Sequence, residues 1–187
     1  MTYRECWKYI CSDYVRYSRT ENSVLKIICY TFMNHKFAYQ FWLRLAMNRD
    51  GWLWPFVEFK HRMMSRRYGI EIPWETKIGY GLFLSHGTGI IINATTTIGD
   101  NCNIGSFTNI GANMGQAARI GNNVWIGPGV CVVENVVIGD NVTIGAGAVV
   151  NKDVPDNATV AGVPAKVLNY NNPGRFVNHR FNLPIKK

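Results

Sequence analysis

The sequence predicts a mainly β fold, a parallel β-helix solenoid preceded by an α-helical N-terminal region. Three observations carry that expectation. Aliphatic residues recur at six-residue steps between Ile78 and Val150, glycine follows many of them, and residues 1–70 show helical spacing instead.

In the helical region, Trp7, Ile10, Cys11, Tyr14 and Val15 fall on one helix face, and Phe37, Phe41 and Leu45 with Trp42 suggest another. Asn22 or Ser23 is placed to cap a helix through Leu25, Ile28 and Cys29. Asp50-Gly51 and Pro55 break the pattern before a basic helix resumes with Lys60, Arg62, Arg66 and Arg67. Aromatic residues beside Lys and Arg admit two readings here, core or oligomer contacts and a peripheral membrane-binding surface.

Residues 71–168 follow the short repeat. The aliphatic positions are Ile78 and Leu84, then Ile92, Ile98, Ile104 and Ile110, then Ile120, Ile126, Val132, Ile138, Ile144 and Val150. A period of six fits neither a helix nor an alternating strand, and it is the mark of a coil whose flat faces are short strands with one aliphatic side chain pointing inward. Gly99-Asp100-Asn101, Gly121-Asn122-Asn123 and Gly139-Asp140-Asn141 read as its corners, where φ is positive. About a dozen repeats at three per turn predict roughly four turns. Residues 169–187 read as a tail that caps the stack or reaches a neighbouring subunit.

At 187 residues, 47% hydrophobic and 17% charged, the chain reads as globular, with one domain, or one plus a small extension, expected. The net charge of +8 favours anionic partners, but no common nucleic-acid-binding motif is visible and nucleic acid is not expected. The five cysteines are odd in number, scattered and without a CxxC pair, which argues against a disulfide framework or a zinc site. No apolar run approaches the roughly 18 residues of a membrane span. Met1-Thr2-Tyr3-Arg4-Glu5 does not open a secretory signal, so a cytoplasmic protein is expected, with the inner face of the membrane as the place for any peripheral association.

A solenoid is a passive rod, and function is expected where its period breaks. Between Leu84 and Ile92 the step is eight, which expels part of Ser85-His86-Gly87-Thr88-Gly89-Ile90; between Ile110 and Ile120 it is ten, which makes residues 113–118 a loop. The first break holds the coil's one histidine, His86, flanked by Gly87 and Gly89. An imidazole titrating near neutrality suits a general base taking a hydroxyl proton.

The stretch from Lys77 to Ile90 resembles the catalytic-histidine segment of serine O-acetyltransferases and their polysaccharide-modifying relatives. The run Ile144-Gly145-Ala146-Gly147-Ala148-Val149-Val150, with Asp153-Val154-Pro155 and Ala161-Gly162-Val163-Pro164-Ala165-Lys166, is similar to the family's acetyl-CoA-binding last coils. The resemblance implies a left-handed coil, acetyl-CoA as donor, no metal, and homotrimers with sites between subunits. It implies His86 as the base, Glu71 as the acid that orients it, and Gly145, Ala146 and Gly162 along the pantetheine arm. Lys166 would meet a cofactor phosphate, and Trp125, Gly115 and Gln116 would wall the cleft.

The pattern departs from serine enzymes at two positions. Ala117 stands where they carry a second histidine, and Ser85 stands where an acidic residue helps to hold the amino acid's ammonium group. Losing both contacts predicts a bulkier acceptor, so a sugar or polysaccharide hydroxyl is expected, with serine as the alternative. The aromatic stretch Phe41-Trp42-Leu43-Arg44 also resembles enzymes of capsule and exopolysaccharide assembly. A metal-dependent β-helix enzyme would need more histidines in the coils, and a sugar-nucleotide transferase would need a nucleotide-binding domain; a non-catalytic scaffold is the reading from another class.

Overall fold

The computed structural model describes residues 1–18 and 23–182. Four helices come first: α1 (Tyr3–Tyr17), α2 (Val24–Met33), α3 (His35–Ala46) and α4 (Trp54–Tyr68). Their ends are chemically marked. Thr2 and Glu5 form a reciprocal capping box on α1, the Asn34 side chain accepts from Lys36 N and Phe37 N to open α3, and Gly69 closes α4 at φ 61°. Ser23 is the N-cap of α2 without a side-chain bond, and Asn22 lies outside the described residues.

The coil follows, three short strands to a turn. The turns run β1 (Ile70–Glu71), β2 (Lys77–Ile78), β3 (Phe83–Leu84); β4 (Ile90–Ile92), β5 (Thr97–Ile98), β6 (Asn103–Ile104); and β7 (Asn109–Gly111), β8 (Arg119–Ile120), β9 (Trp125–Ile126). They continue with β10 (Cys131–Val133), β11 (Val137–Ile138), β12 (Thr143–Ile144), then β13 (Val149–Val150), a bridge at Val154, and β14 (Thr159–Ala161). Each strand pairs in parallel with its equivalent one turn away, giving a first face β1-β4-β7-β10-β13, a second β2-β5-β8-β11 and a third β3-β6-β9-β12-β14, to which β15 (Lys166–Asn169) adds antiparallel. The prism therefore has about five turns rather than four. The miscount came from its ends: β1 begins a face before Ile78, and Val154 and Val160 extend the stacks beyond Val150.

Register explains the period. Ile78, Ile98, Ile120, Ile138 and Val154 lie one above the other inside the second face, and Leu84, Ile104, Ile126, Ile144 and Val160 inside the third. All ten are buried, so each layer repeats the same inward contact and a six-residue step becomes a continuous core.

The corners are held by side chains as well as backbone. Asn101, Asn123, Asn141 and Asn157 have φ of 55° to 64°, and Asn123 Nδ2 donates to Asn141 Oδ1, whose own amide donates to Asn157 Oδ1, both at 3.1 Å. Their neighbours Asp100, Asn122, Asp140 and Asp156 each accept a backbone N–H from the turn before.

Two clusters of buried apolar residues form the cores, the long one inside the prism and a small one of Ile10, Tyr14, Ile27 and Phe37 among the helices. The tail crosses the corner ladder: Phe181 N donates to Asn101 Oδ1, Asn103 Nδ2 donates to Phe176 O, and Gly174 N donates to Asn141 O.

Candidate active site

His86 lies where the chain turns from β3 into β4, exposed on an edge of the prism with φ 64°. The strand register ends one residue earlier, with Ser85 N donating to Ile104 O at 2.8 Å. Gly87 and Gly89 follow at φ 53° and 63°, so three of four consecutive residues are left-handed and the segment folds back on itself.

This turn is gripped from two sides. His35 Nε2 donates to the His86 carbonyl at 3.2 Å, Lys36 covers Gly87 so closely that a Cβ there would sit 2.7 Å from its Cγ, and Thr88 Oγ1 donates to Tyr68 O at 3.0 Å. From the next turn of the coil, Phe107 N donates to Thr88 O, and a Cβ on Gly89 would meet Phe107 Cδ1 at 2.5 Å. His35 and Lys36 carry no mark in the linear pattern, because their role depends on where the N-terminus of α3 lands.

Glu71 ends β1 beside Ile91 and is exposed. It lines a groove of about 570 Å³ between α4 and the first turn, with Glu58, His61, Arg62, Arg66 and Trp74 around it. Among the described residues the ion pairs are Arg44 with Asp13 and Arg62 with Glu58, so Glu71 and His86 form no ion pair. His61 is buried at the groove's base. The Tyr39 hydroxyl accepts from Ile72 N at 3.1 Å, donates to Ile72 O at 3.5 Å and lies 3.1 Å from His61 Nε2, and burial pulls the imidazole pKa down to about 4.

Gly145, Ala146 and Gly162 share the edge of His86. The corner between the third and first faces is stitched by Phe107 N to Thr88 O, Gly129 N to Ser106 O, Gly147 N to Pro128 O and Val149 N to Gly162 O. Four steps at strand spacing separate the His86 turn from Gly162, about 19 Å along one line. Lys166 stands exposed in β15 opposite Ala161. Trp125 is on the third face, half-buried against Phe176 of the chain's own tail with ring centroids 4.8 Å apart.

The second break sits on a different edge, between the first and second faces. Its tip carries Gly115 at φ 78°, and Gln116 Nε2 donates to Thr95 O. Ala117 N donates to Thr95 Oγ1 at 2.8 Å, Asn113 N to Glu134 Oε1 at 3.2 Å, and both Ala117 and Ala118 are buried, so only residues 112–116 project. Within one chain the structure brings His86, Gly145, Ala146 and Gly162 to one edge, and puts Gly115 and Gln116 on another. No group of three or more His, Cys, Asp or Glu side chains is gathered as a metal site among the described residues.

The family described as bacterial transferase hexapeptide (six repeats) matches residues 117–152. The structure of serine acetyltransferase from Neisseria gonorrhoeae in complex with serine superposes with a TM-score of 0.71 at 30% identity, over 89% of this chain and 70% of that one. The chain belongs to the hexapeptide-repeat acetyltransferases. Its coil is the left-handed parallel β-helix of that family. Among curated proteins this chain is 40% identical over 104 residues to serine acetyltransferase from Synechococcus elongatus, covering 54% of the chain and 43% of the relative. It is 35% identical over 118 residues to the Bacillus pumilus enzyme, covering 61% and 54%. The chain thus spans about half the length of the curated relatives it matches.

These findings correct the expected acceptor. The sugar or polysaccharide reading rested on two side chains, Ser85 and Ala117, and on one aromatic stretch of α3. The similarity to serine acetyltransferases instead runs through helices and coil alike. The physical reason is that one changed contact on each of two edges alters how an acceptor is held, whereas the helical region and coil stack that frame the site are kept.

Proposed function

We propose that this chain is an acetyl-CoA-dependent serine O-acetyltransferase with His86 as general base. The observation that carries the reading is the placement of His86 in a clamped left-handed turn on the prism edge that also carries Gly145, Ala146 and Gly162. A donor extended along that edge presents its thioester at one end of the line.

His86 takes the proton of the serine hydroxyl as that oxygen attacks the thioester carbonyl. The C–O bond forms, the C–S bond breaks, and the imidazolium returns its proton to the departing CoA sulfur, so the base is regenerated. Glu71, at the end of the first strand of the coil, is the acid we assign to support the imidazolium. Lys166 offers a cation to a phosphate of the donor, and Trp125 bounds the neighbouring face.

Ser85, Gly115 and Gln116 serve the acceptor. Since the His86 edge and the 112–116 projection are separate corners of one prism, a site that uses both is assembled from adjacent subunits, and we read the active form as a homotrimer. The test is thiol release from acetyl-CoA with L-serine as acceptor, for the wild type and for His86→Ala. A loss of about 10² to 10⁴ in kcat is expected for the variant. Wild-type turnover in His86→Ala would overturn the assigned base; inactivity of the wild type with serine would overturn the acceptor.

A further inference from the structure

The helical region presents apolar side chains that the fold leaves uncovered. On α2, Leu25, Ile28 and Phe32 form a stripe, with Phe32 87% exposed. On α4, Phe56, Phe59 and Met63 form a second, since about 100° of rotation per residue places them within a narrow arc; Phe59 is 61% exposed. The two helices are joined through α3. Ile27 packs with Phe37 in the small core, and Phe41, Trp42 and Phe56 continue in edge contacts with centroids 5.6 and 5.9 Å apart.

Charge decides what such a face fits. The same helical geometry puts Lys60 and Arg67 on one flank of the α4 stripe and Arg66 on the other, and the Lys60 ammonium lies over the Phe56 ring at 5.7 Å. Across α2, α3 and α4 there are seven Lys and Arg residues and one acid, Glu58; with Arg44 buried against Asp13 and Arg62 paired to Glu58, five cations and no unpaired acid remain. Two copies meeting through this face would set cations against cations. An anionic bilayer satisfies both features, taking aromatic side chains at the headgroup boundary and basic ones on lipid phosphates. Among the described residues no helix is long and apolar enough to cross a membrane, so the face would lie on the surface.

We propose that this chain docks on anionic lipid bilayers through α2 and α4, with Phe32, Phe56 and Phe59 inserted at the interface and Lys60, Arg66 and Arg67 on the phosphates. The test is flotation of the full chain with vesicles of phosphatidylcholine alone and of phosphatidylcholine mixed with phosphatidylglycerol. Binding to the mixed vesicles is expected, weakening as salt is raised.

The double variant Phe32→Ser/Phe59→Ser should lose at least about tenfold in partitioning, and Arg66→Gln/Arg67→Gln roughly fivefold per residue. Circular dichroism establishes that both keep the fold. No partitioning of the wild type into anionic vesicles, or unchanged partitioning of the variants, would overturn the proposal. So would concentration-dependent self-association of the wild type in solution that Phe32→Ser/Phe59→Ser abolishes, which would assign the face to a second copy.

Discussion

Asp13 and Arg44 form a two-pronged ion pair with no solvent on either side chain, Nε to Oδ2 at 2.8 Å and Nη2 to Oδ1 at 3.0 Å. The pair is also the joint between helices and coil. Arg44 donates onward to the carbonyls of Ile78 and Gly79 at 2.9 and 2.7 Å, and Asp13 accepts from Leu82 N at 2.8 Å. The polar face of α1 thereby holds the second corner of the first turn, one strand before His86.

Removing one partner of such a pair leaves a buried charge uncompensated. Arg44→Met should therefore cost about 3 to 5 kcal/mol in urea unfolding. Arg44→Lys keeps the charge but lacks the planar fork that reaches carboxylate and carbonyls together, so its midpoint should lie between the variant and the wild type. Equal midpoints for all three proteins would show that the pair does not join the two regions.

His35 acts on the turn through the His86 carbonyl. Losing one hydrogen bond predicts that His35→Ala costs no more than about 1 kcal/mol in unfolding stability and lowers kcat roughly fivefold. His35→Gln, which retains a side-chain N–H donor, should recover part of the loss. If kcat is unchanged in His35→Ala, the contact does not position His86 for the proposed reaction.

His61 makes stability pH-dependent. Its pKa falls from 6.5 to about 4 because burial disfavours the charged ring, so the unfolded chain binds the proton more readily than the folded one. The stabilisation from keeping it neutral is complete above about pH 6.5 and is lost as pH falls towards 4, by up to about 3 kcal/mol. Chemical unfolding at a series of pH values should show this slope, and His61→Gln should remove it. A wild-type profile parallel to that of the variant would contradict the assignment.

Much of the architecture was readable in one dimension because of how a coil is built. Ile98, Ile104 and Ile110 face inward for the same reason, each one strand and one corner after the last, and so the side-chain pattern is the fold written out. The His86 segment was readable as an interruption of that pattern. The extra turn was not, since Ile70 and Val160 lie outside the run that the counting began and ended on.

The acceptor was misjudged because single residues at a break were weighed without the frame around them. The grip of His35 and Lys36 on the His86 turn was beyond linear reading, as was the burial of Ala117 beneath the loop that was expected to carry it outward.

Local repetition therefore carried the coil, its corners and the position of the His86 turn, because each depends on contacts between a residue and its equivalent one turn away. The joint of Asp13 to Arg44, 31 positions apart, and the placing of His86 and Gly115 on separate edges depend on where helices land and how the prism turns. Those relations are set by packing between distant segments, for which no periodic spacing exists in the chain, and only the folded molecule resolved them.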